Sequence, residues 1–203
     1  LLVVYTKIRS MEPHTITTEE FKSFQNSFLI GNGLMCLGEI LALASFYPTF
    51  LALDCKIEDI TKLYLIYIVS TAVFAVLLEI IDFGTRKGKC VTSAILYFVS
   101  LFSLCCDDHY DMLMLGRVCY GAATALHHGL DMGNGTFENY AIHQHTTAGF
   151  PDEWLNNTFV TMTHTVAAIA VVAGFLGQLS SATGGLGTIS LVCILFLVAA
   201  VYM

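Results

Sequence analysis

Charge is what this sequence has least of. Only 12% of its 203 residues are Asp, Glu, Lys or Arg, about half of the roughly 25% usual in soluble domains. That excludes an ordinary water-soluble globule. Proline is scarce too, three residues in all, so few obligatory breaks interrupt long helices. No Gly-x-x-x-x-Gly-Lys-Ser/Thr stretch occurs, which removes the phosphate-cradling loop that a primary nucleotide-driven pump needs. No catalytic constellation is present, and neither an enzyme activity nor a cofactor is expected. A readable targeting signal is also missing. The chain opens on LLVVYTKIRS without an initiator Met and ends inside the apolar run LVCILFLVAAVYM, so it is expected to be cut at both ends.

What is abundant is oil. Hydrophobic residues make up 56% of the chain and the mean hydropathy is +0.70. A hydrocarbon layer of about 30 Å calls for about 20 apolar residues per helix. Six stretches qualify, near 27–53, 63–81, 90–106, 112–130, 159–180 and 186–203. Small residues crowd several of them, as in GAATA and AAIAVVAG, and these let helix backbones approach closely within a bilayer. The expected fold is an all-α polytopic membrane protein: a cytoplasmic segment over 1–26, then a six-helix transmembrane bundle over 27–203. Of seven cysteines, Cys36, Cys90, Cys105, Cys106, Cys119 and Cys193 lie in or beside apolar runs and Cys55 sits in a polar connection. They read as small apolar side chains rather than a disulfide framework.

The few cations orient the bundle. With the start of the chain on the cytoplasmic side, Lys7, Arg9, Lys22, Arg86, Lys87 and Lys89 fall inside, Lys56 and Lys62 outside, and Arg117 within a helix. This matches the excess of Lys and Arg expected in cytoplasmic loops. The sequons at Asn134 and Asn156 then face the cytosol and are expected to carry no glycan.

The stretch LEIIDFGTRKGK, Leu78 to Lys89, asks why an oily helix stops on an acid, turns on glycine and shows three cations. A carboxylate at a helix C-terminus is unfavourable unless a cation is near. Asp82 and Arg86 supply that pair across a turn at Gly84, tying two antiparallel helices into a hairpin. The plainer alternative is a positive-inside anchor.

DFGTRKGK between the second and third helices resembles the Asp-x-x-Gly-Arg-Arg/Lys signature of the major facilitator superfamily, with Thr85 between glycine and arginine. LGRVCYG, with Arg117 early in the fourth helix and Gly121 four residues later, is similar to the superfamily's second signature. Closer still is the resemblance to its molybdate-anion transporter family, the domain-containing-5 type. It is carried by Phe24 and Gln25, by Glu39, and by the passage Phe137, Glu138, His143, His145, Phe150, Pro151, Glu153, Trp154, Thr158 and Phe159. HHGLDMGNG stands as an insertion before that passage. The resemblance implies the N-terminal half of a twelve-helix carrier whose C-terminal six helices lie outside this chain. It implies a secondary transporter for uptake of molybdate or a similar anion, at the plasma membrane. Asp82, Gly84, Arg86, Lys87 and Gly121 would be its conformational signature.

Arg117 at membrane depth costs about 3 kcal/mol on the lenient insertion scale, so it should face the interior and meet an anion or a carboxylate. Its planar fork suits an oxyanion. Glu39, mid-helix with no local cation, is the expected partner of Arg117 and a candidate proton site; a purely structural ion pair is the alternative. Arg117, Glu39 and Glu138 are therefore the candidate substrate or coupling residues. His127, His128, Asp131, Glu138, His143 and His145 fall within 19 residues. Their spacing matches no standard closed zinc site, so no metal is assigned and a solvated polar connection is expected. Two further readings stay open: a major facilitator carrier of another small solute, since fold does not fix substrate, and a non-transporting membrane scaffold.

Overall fold

The computed structural model describes residues 18–81, 84–105, 110–129, 135–181 and 186–202, and among them it contains helices and no strand. In order these are α1 (Glu19–Ala52), α2 (Ile57–Ile80), α3 (Arg86–Phe102), α4 (Tyr110–His128), α5 (Thr136–Thr147), α6 (Asp152–Ser181) and α7 (Leu186–Tyr202). One 3-10 turn, Ser103–Cys105, extends α3. Glu19–Ala52, Ile57–Leu78 and Asp152–Leu179 are long and apolar enough to cross a membrane, and Ile189–Tyr202 is a shorter apolar helix.

The outer and inner faces divide as a lipid solvent requires. On α2, Leu65, Ile68, Val73, Val76 and Ile80 are at least half exposed, and α6 shows Val171, Phe175 and Leu179 in the same way. On α3 the buried residues are Cys90, Ser93, Ala94, Tyr97, Ser100 and Leu101, a stripe at helical spacing. Its polar members point into the bundle while Ile95, Val99 and Phe102 face outward.

α4 packs between α2 and α3, α1 lies against α6 and α7, and contact between α3 and α7 joins the two groups. The seam is aromatic. Tyr97 stacks on Phe196 at 4.6 Å and meets Tyr120 edge-on at 4.9 Å, and Phe46 meets Tyr120 at the same separation. Gly121 makes the α2 contact possible: a Cβ there would stand 2.8 Å from the Tyr67 carbonyl oxygen and 2.8 Å from the Thr71 nitrogen. The small residue brings backbone onto backbone.

Two helices start earlier than hydropathy alone predicts. α1 begins at Glu19, inside the expected cytoplasmic segment, because the Thr18 hydroxyl caps it by accepting from the Phe21 amide at 3.3 Å. At 34 residues it is about 51 Å long, well beyond the hydrocarbon thickness. α6 begins at Asp152, directly after Pro151. The two extra ends hold each other. Phe21 packs on Trp154 at 4.8 Å and Phe150 at 5.3 Å, and Gln25 Nε2 donates to Thr158 Oγ1 at 3.1 Å.

The expected polar connection after α4 is partly a helix. α5 starts where the Gly135 amide donates to the Glu138 carboxylate at 3.2 Å, one half of a capping box. Phe137, Ala141 and His145 form its buried face, spaced four residues apart along one side. The Thr136 hydroxyl donates to the Leu126 carbonyl and fixes α5 against the end of α4. High polarity hid this helix from a hydropathy reading, because only a narrow stripe of it is buried.

Candidate functional site

Glu39 sits in the middle of α1 with 7% of its surface exposed. A buried carboxylate is tolerated only when hydrogen-bonded or paired, and three side chains gather on this one. The Tyr97 hydroxyl of α3 donates to Oε1 at 3.0 Å. His128 Nε2 lies 2.9 Å from Oε2 and 3.1 Å from Oε1. His127 Nδ1 lies 3.2 Å from Oε2, within ion-pair range, yet without the alignment of a hydrogen bond. The Tyr97 hydroxyl is also 3.2 Å from Thr124 Oγ1, and the Tyr120 hydroxyl donates to the Glu39 backbone carbonyl at 3.3 Å.

α4 supplies most of this cluster from one side. Tyr120, Thr124 and His127 recur at helical spacing and are all buried, and His128 follows at the helix end, where Gly129 adopts φ 67°. The His128 side chain is 54% exposed and opens onto a cavity of about 590 Å³. Asn32 and Cys36 of α1, Phe137 and Glu138 of α5, and Met162 and Thr163 of α6 complete its wall. Apolar Phe137, Met162 and Val166 thus share the lining with polar Asn32, His127, His128, Glu138 and Thr163, drawn from four helices.

Arg117 does not join this cluster. The expected Arg117 to Glu39 ion pair is absent among the described residues. The arginine carbon Cζ stands 3.6 Å above the Phe46 ring, with Tyr120 at 5.2 Å and Phe50 at 5.4 Å. Nη2 donates to Ser100 Oγ at 3.3 Å, while Nε has no partner. The reason is direction along the helices. Arg117 precedes His127 by ten positions, and Phe46 follows Glu39 by seven, so with His127 beside Glu39 the arginine reaches the Phe46 level, about 10 Å further along α1. The cation is stabilised by aromatic faces instead of an acid.

Of the signature residues, Gly84 adopts φ +72°, a conformation that favours glycine, and forms the turn into α3. Thr85 caps that helix by accepting from the Gly88 amide at 3.0 Å. Arg86 and Lys87 are exposed and line, with Lys89 and α5 residues including Thr136 and His143, a second cavity of about 660 Å³. Asp82 and Asp131 lie outside the described residues. His143 is exposed, whereas His145 is buried with Nε2 2.9 Å from the Pro151 carbonyl.

The fold thus divides the sequence's histidine cluster. His127 and His128 go to Glu39, Glu138 goes to the cavity wall and the Gly135 cap, and His145 braces the turn before α6. Tyr97 and Tyr120 are members of the site that polarity alone did not single out, although each is a tyrosine within an apolar helix whose hydroxyl needs a partner once buried.

A family model described as sugar transporters with twelve transmembrane segments matches residues 2–203. The chain belongs to this family. It is a multi-pass membrane transporter of the major facilitator type, and the helical bundle with lipid-facing α2 and α6 agrees with that membership. Comparison with curated proteins and with solved structures found no match.

Proposed function

We propose that this transporter is a secondary carrier that takes up a small oxyanion, with molybdate as its substrate. The observation that carries the proposal is the cavity at the C-terminal end of α4, lined by His127 and His128, the two imidazoles that meet the only buried acid of α1, Glu39, together with the Tyr97 hydroxyl. Several of the residues that carry the resemblance to the molybdate-anion family lie near it. Phe137 and Glu138 line the cavity and Glu39 pairs with its histidines, while Phe24, Gln25, Phe150, Trp154 and Thr158 join the ends of α1 and α6.

A dianion moving inward against an inside-negative potential costs about 4.6 kcal/mol per 100 mV, twice the single-charge value. Coupling to a cation offsets that cost, and the carboxylate of Glu39 with its paired imidazoles is the place for the cation. Arg117 stands deeper in the bundle with Nε unpartnered, a donor that an oxyanion passing along α4 would meet. In this reading Asp82, Arg86 and Lys87, which stand between α2 and the body of α3 in sequence, govern which side the carrier opens to.

The family's description favours a sugar as the second reading. Asn32 and Glu138 offer hydroxyl partners and Phe137 an aromatic face in the same cavity. Uptake into cells lacking their own carrier, measured by mass spectrometry for molybdate and with labelled hexose in parallel, separates the two. Accumulation of molybdate that a Glu39→Gln change abolishes is the expected result; hexose uptake without molybdate uptake would overturn the oxyanion assignment.

A further inference from the structure

We propose that Glu39, His127 and His128 form a binding site for a divalent transition metal of the zinc and cobalt kind. The site concerns the same cavity but rests on ligand geometry alone, whichever solute the carrier moves. Each of the three side chains offers one ligand atom, and these atoms all lie within 4.8 Å of one another. Glu39 Oε2 is 2.9 Å from His128 Nε2 and 3.2 Å from His127 Nδ1. In a tetrahedral zinc site, with metal bonds of about 2.0–2.2 Å, neighbouring ligand atoms stand about 3.4 Å apart. The two carboxylate–imidazole separations lie within about 0.5 Å of that spacing.

Adjacent residues on a helix point about 100° apart, which ordinarily prevents both from serving one ion. Here the two histidines present different nitrogens, the near Nδ1 of His127 and the far Nε2 of His128, so the longer arm swings back to the point the shorter one reaches. A second observation points to a ligand. His127 is 4% exposed, its Nδ1 is buried with no hydrogen-bond partner, and it is aimed at the Glu39 carboxylate. Orphaned buried nitrogens are costly, and a metal ion would satisfy this one.

The surroundings have the form of a built metal site. Tyr97 donates to Oε1 at 3.0 Å, an oxygen His128 Nε2 also approaches at 3.1 Å, while Oε2 is the oxygen both imidazoles reach; the tyrosine is the outer-shell support that fixes ligand orientation. The half-exposed His128 faces the cavity, which gives an ion a path inward and leaves a fourth coordination position open. Two imidazoles and one carboxylate select first-row ions such as zinc, cobalt and nickel over magnesium and calcium, which prefer all-oxygen shells.

Co²⁺ titration of the purified chain in detergent, stripped with chelator beforehand, tests the site by the visible absorption of four- or five-coordinate cobalt and its displacement by Zn²⁺. The expected result is one equivalent bound per chain, with binding lost in Glu39→Gln, His127→Ala and His128→Ala, kept in His143→Ala, and weakened about 10-fold in Tyr97→Phe. His128→Gln, at a half-exposed position, is the variant for which folding is least at risk, and size-exclusion profiles without metal confirm it. An octahedral, aquo-like cobalt spectrum from the intact chain, or binding unchanged in His128→Gln, would overturn the proposal. Because the readout is spectroscopic, its failure leaves molybdate carriage standing, and failure of molybdate carriage leaves the metal site standing.

Discussion

The Arg117 guanidinium carbon lies 3.6 Å over the ring of Phe46, and this contact, not a carboxylate, holds the buried cation of α4. Stacking on an aromatic face in a desolvated setting is worth about 2 kcal/mol, and Ser100 adds a hydrogen bond at 3.3 Å. Phe46→Leu keeps a large apolar side chain, slightly smaller than the ring, but removes the quadrupole. It should lower the thermal midpoint of the detergent-solubilised protein by the equivalent of about 1–2 kcal/mol. Phe50→Leu, whose ring is 5.4 Å away, should cost less.

Independence of Arg117 and Glu39 is itself measurable. The two charges make no direct contact and meet only through Tyr120, whose ring lies 5.2 Å from the guanidinium carbon and whose hydroxyl donates to the Glu39 backbone carbonyl, so removing one charge does not compensate for removing the other. Arg117→Gln and Glu39→Gln should each impair uptake, and the double variant should be no better than the worse single one. Recovery of uptake in the double variant would show that the two charges neutralise each other, contrary to the geometry.

Gly121 allows α4 to lie backbone against backbone on α2. A methyl there would stand 2.7 Å from Ser70 Cβ and 2.8 Å from two backbone atoms that have no room to yield. Gly121→Ala should destabilise by about 1–3 kcal/mol, the range for overpacking, while Gly174→Ala, where nothing lies within 4 Å, should be neutral or slightly stabilising. Melting of the two variants in the same detergent makes the comparison.

The α2–α3 turn carries the orientation. Lys87 is exposed, and the distribution of cations predicts a cytoplasmic position for it. Lys87→Cys in an otherwise cysteine-free chain should react with an impermeant thiol reagent in inside-out vesicles and stay unlabelled in intact cells. Labelling of intact cells would reverse the bundle. In the same turn, Asp82→Asn should reduce uptake without changing membrane insertion, as a conformational role requires.

Much of the site was legible as isolated anomalies. Glu39 and Arg117 stand out because each is a charge inside an apolar run, where its cost demands a reason. The turn at Gly84 was legible from an acid, a glycine and cations in close order. α5 left a fainter trace: Phe137, Ala141 and His145 repeat at four-residue spacing within a polar passage, a stripe too narrow to raise mean hydropathy. The metal-like grouping left half a trace: His127 and His128 stood out within the histidine cluster, but Glu39 lies 89 positions from His128, and the other histidines of that cluster, His143 and His145, go elsewhere.

The sequence by itself determined that this chain lives in a bilayer as a helical bundle, because hydropathy and helix length are local properties that a lipid solvent enforces segment by segment. It also determined which side chains are expensive to bury. Which partners those side chains found was decided only by tertiary structure. The register of α4 against α1 sets His127 and His128 beside Glu39, and the same register carries Arg117 to the level of Phe46, out of reach of the acid. That register is held by Phe46 packing on Tyr120 at 4.9 Å and by the Tyr120 hydroxyl donating to the Glu39 backbone carbonyl at 3.3 Å, contacts between distant segments that no local pattern encodes.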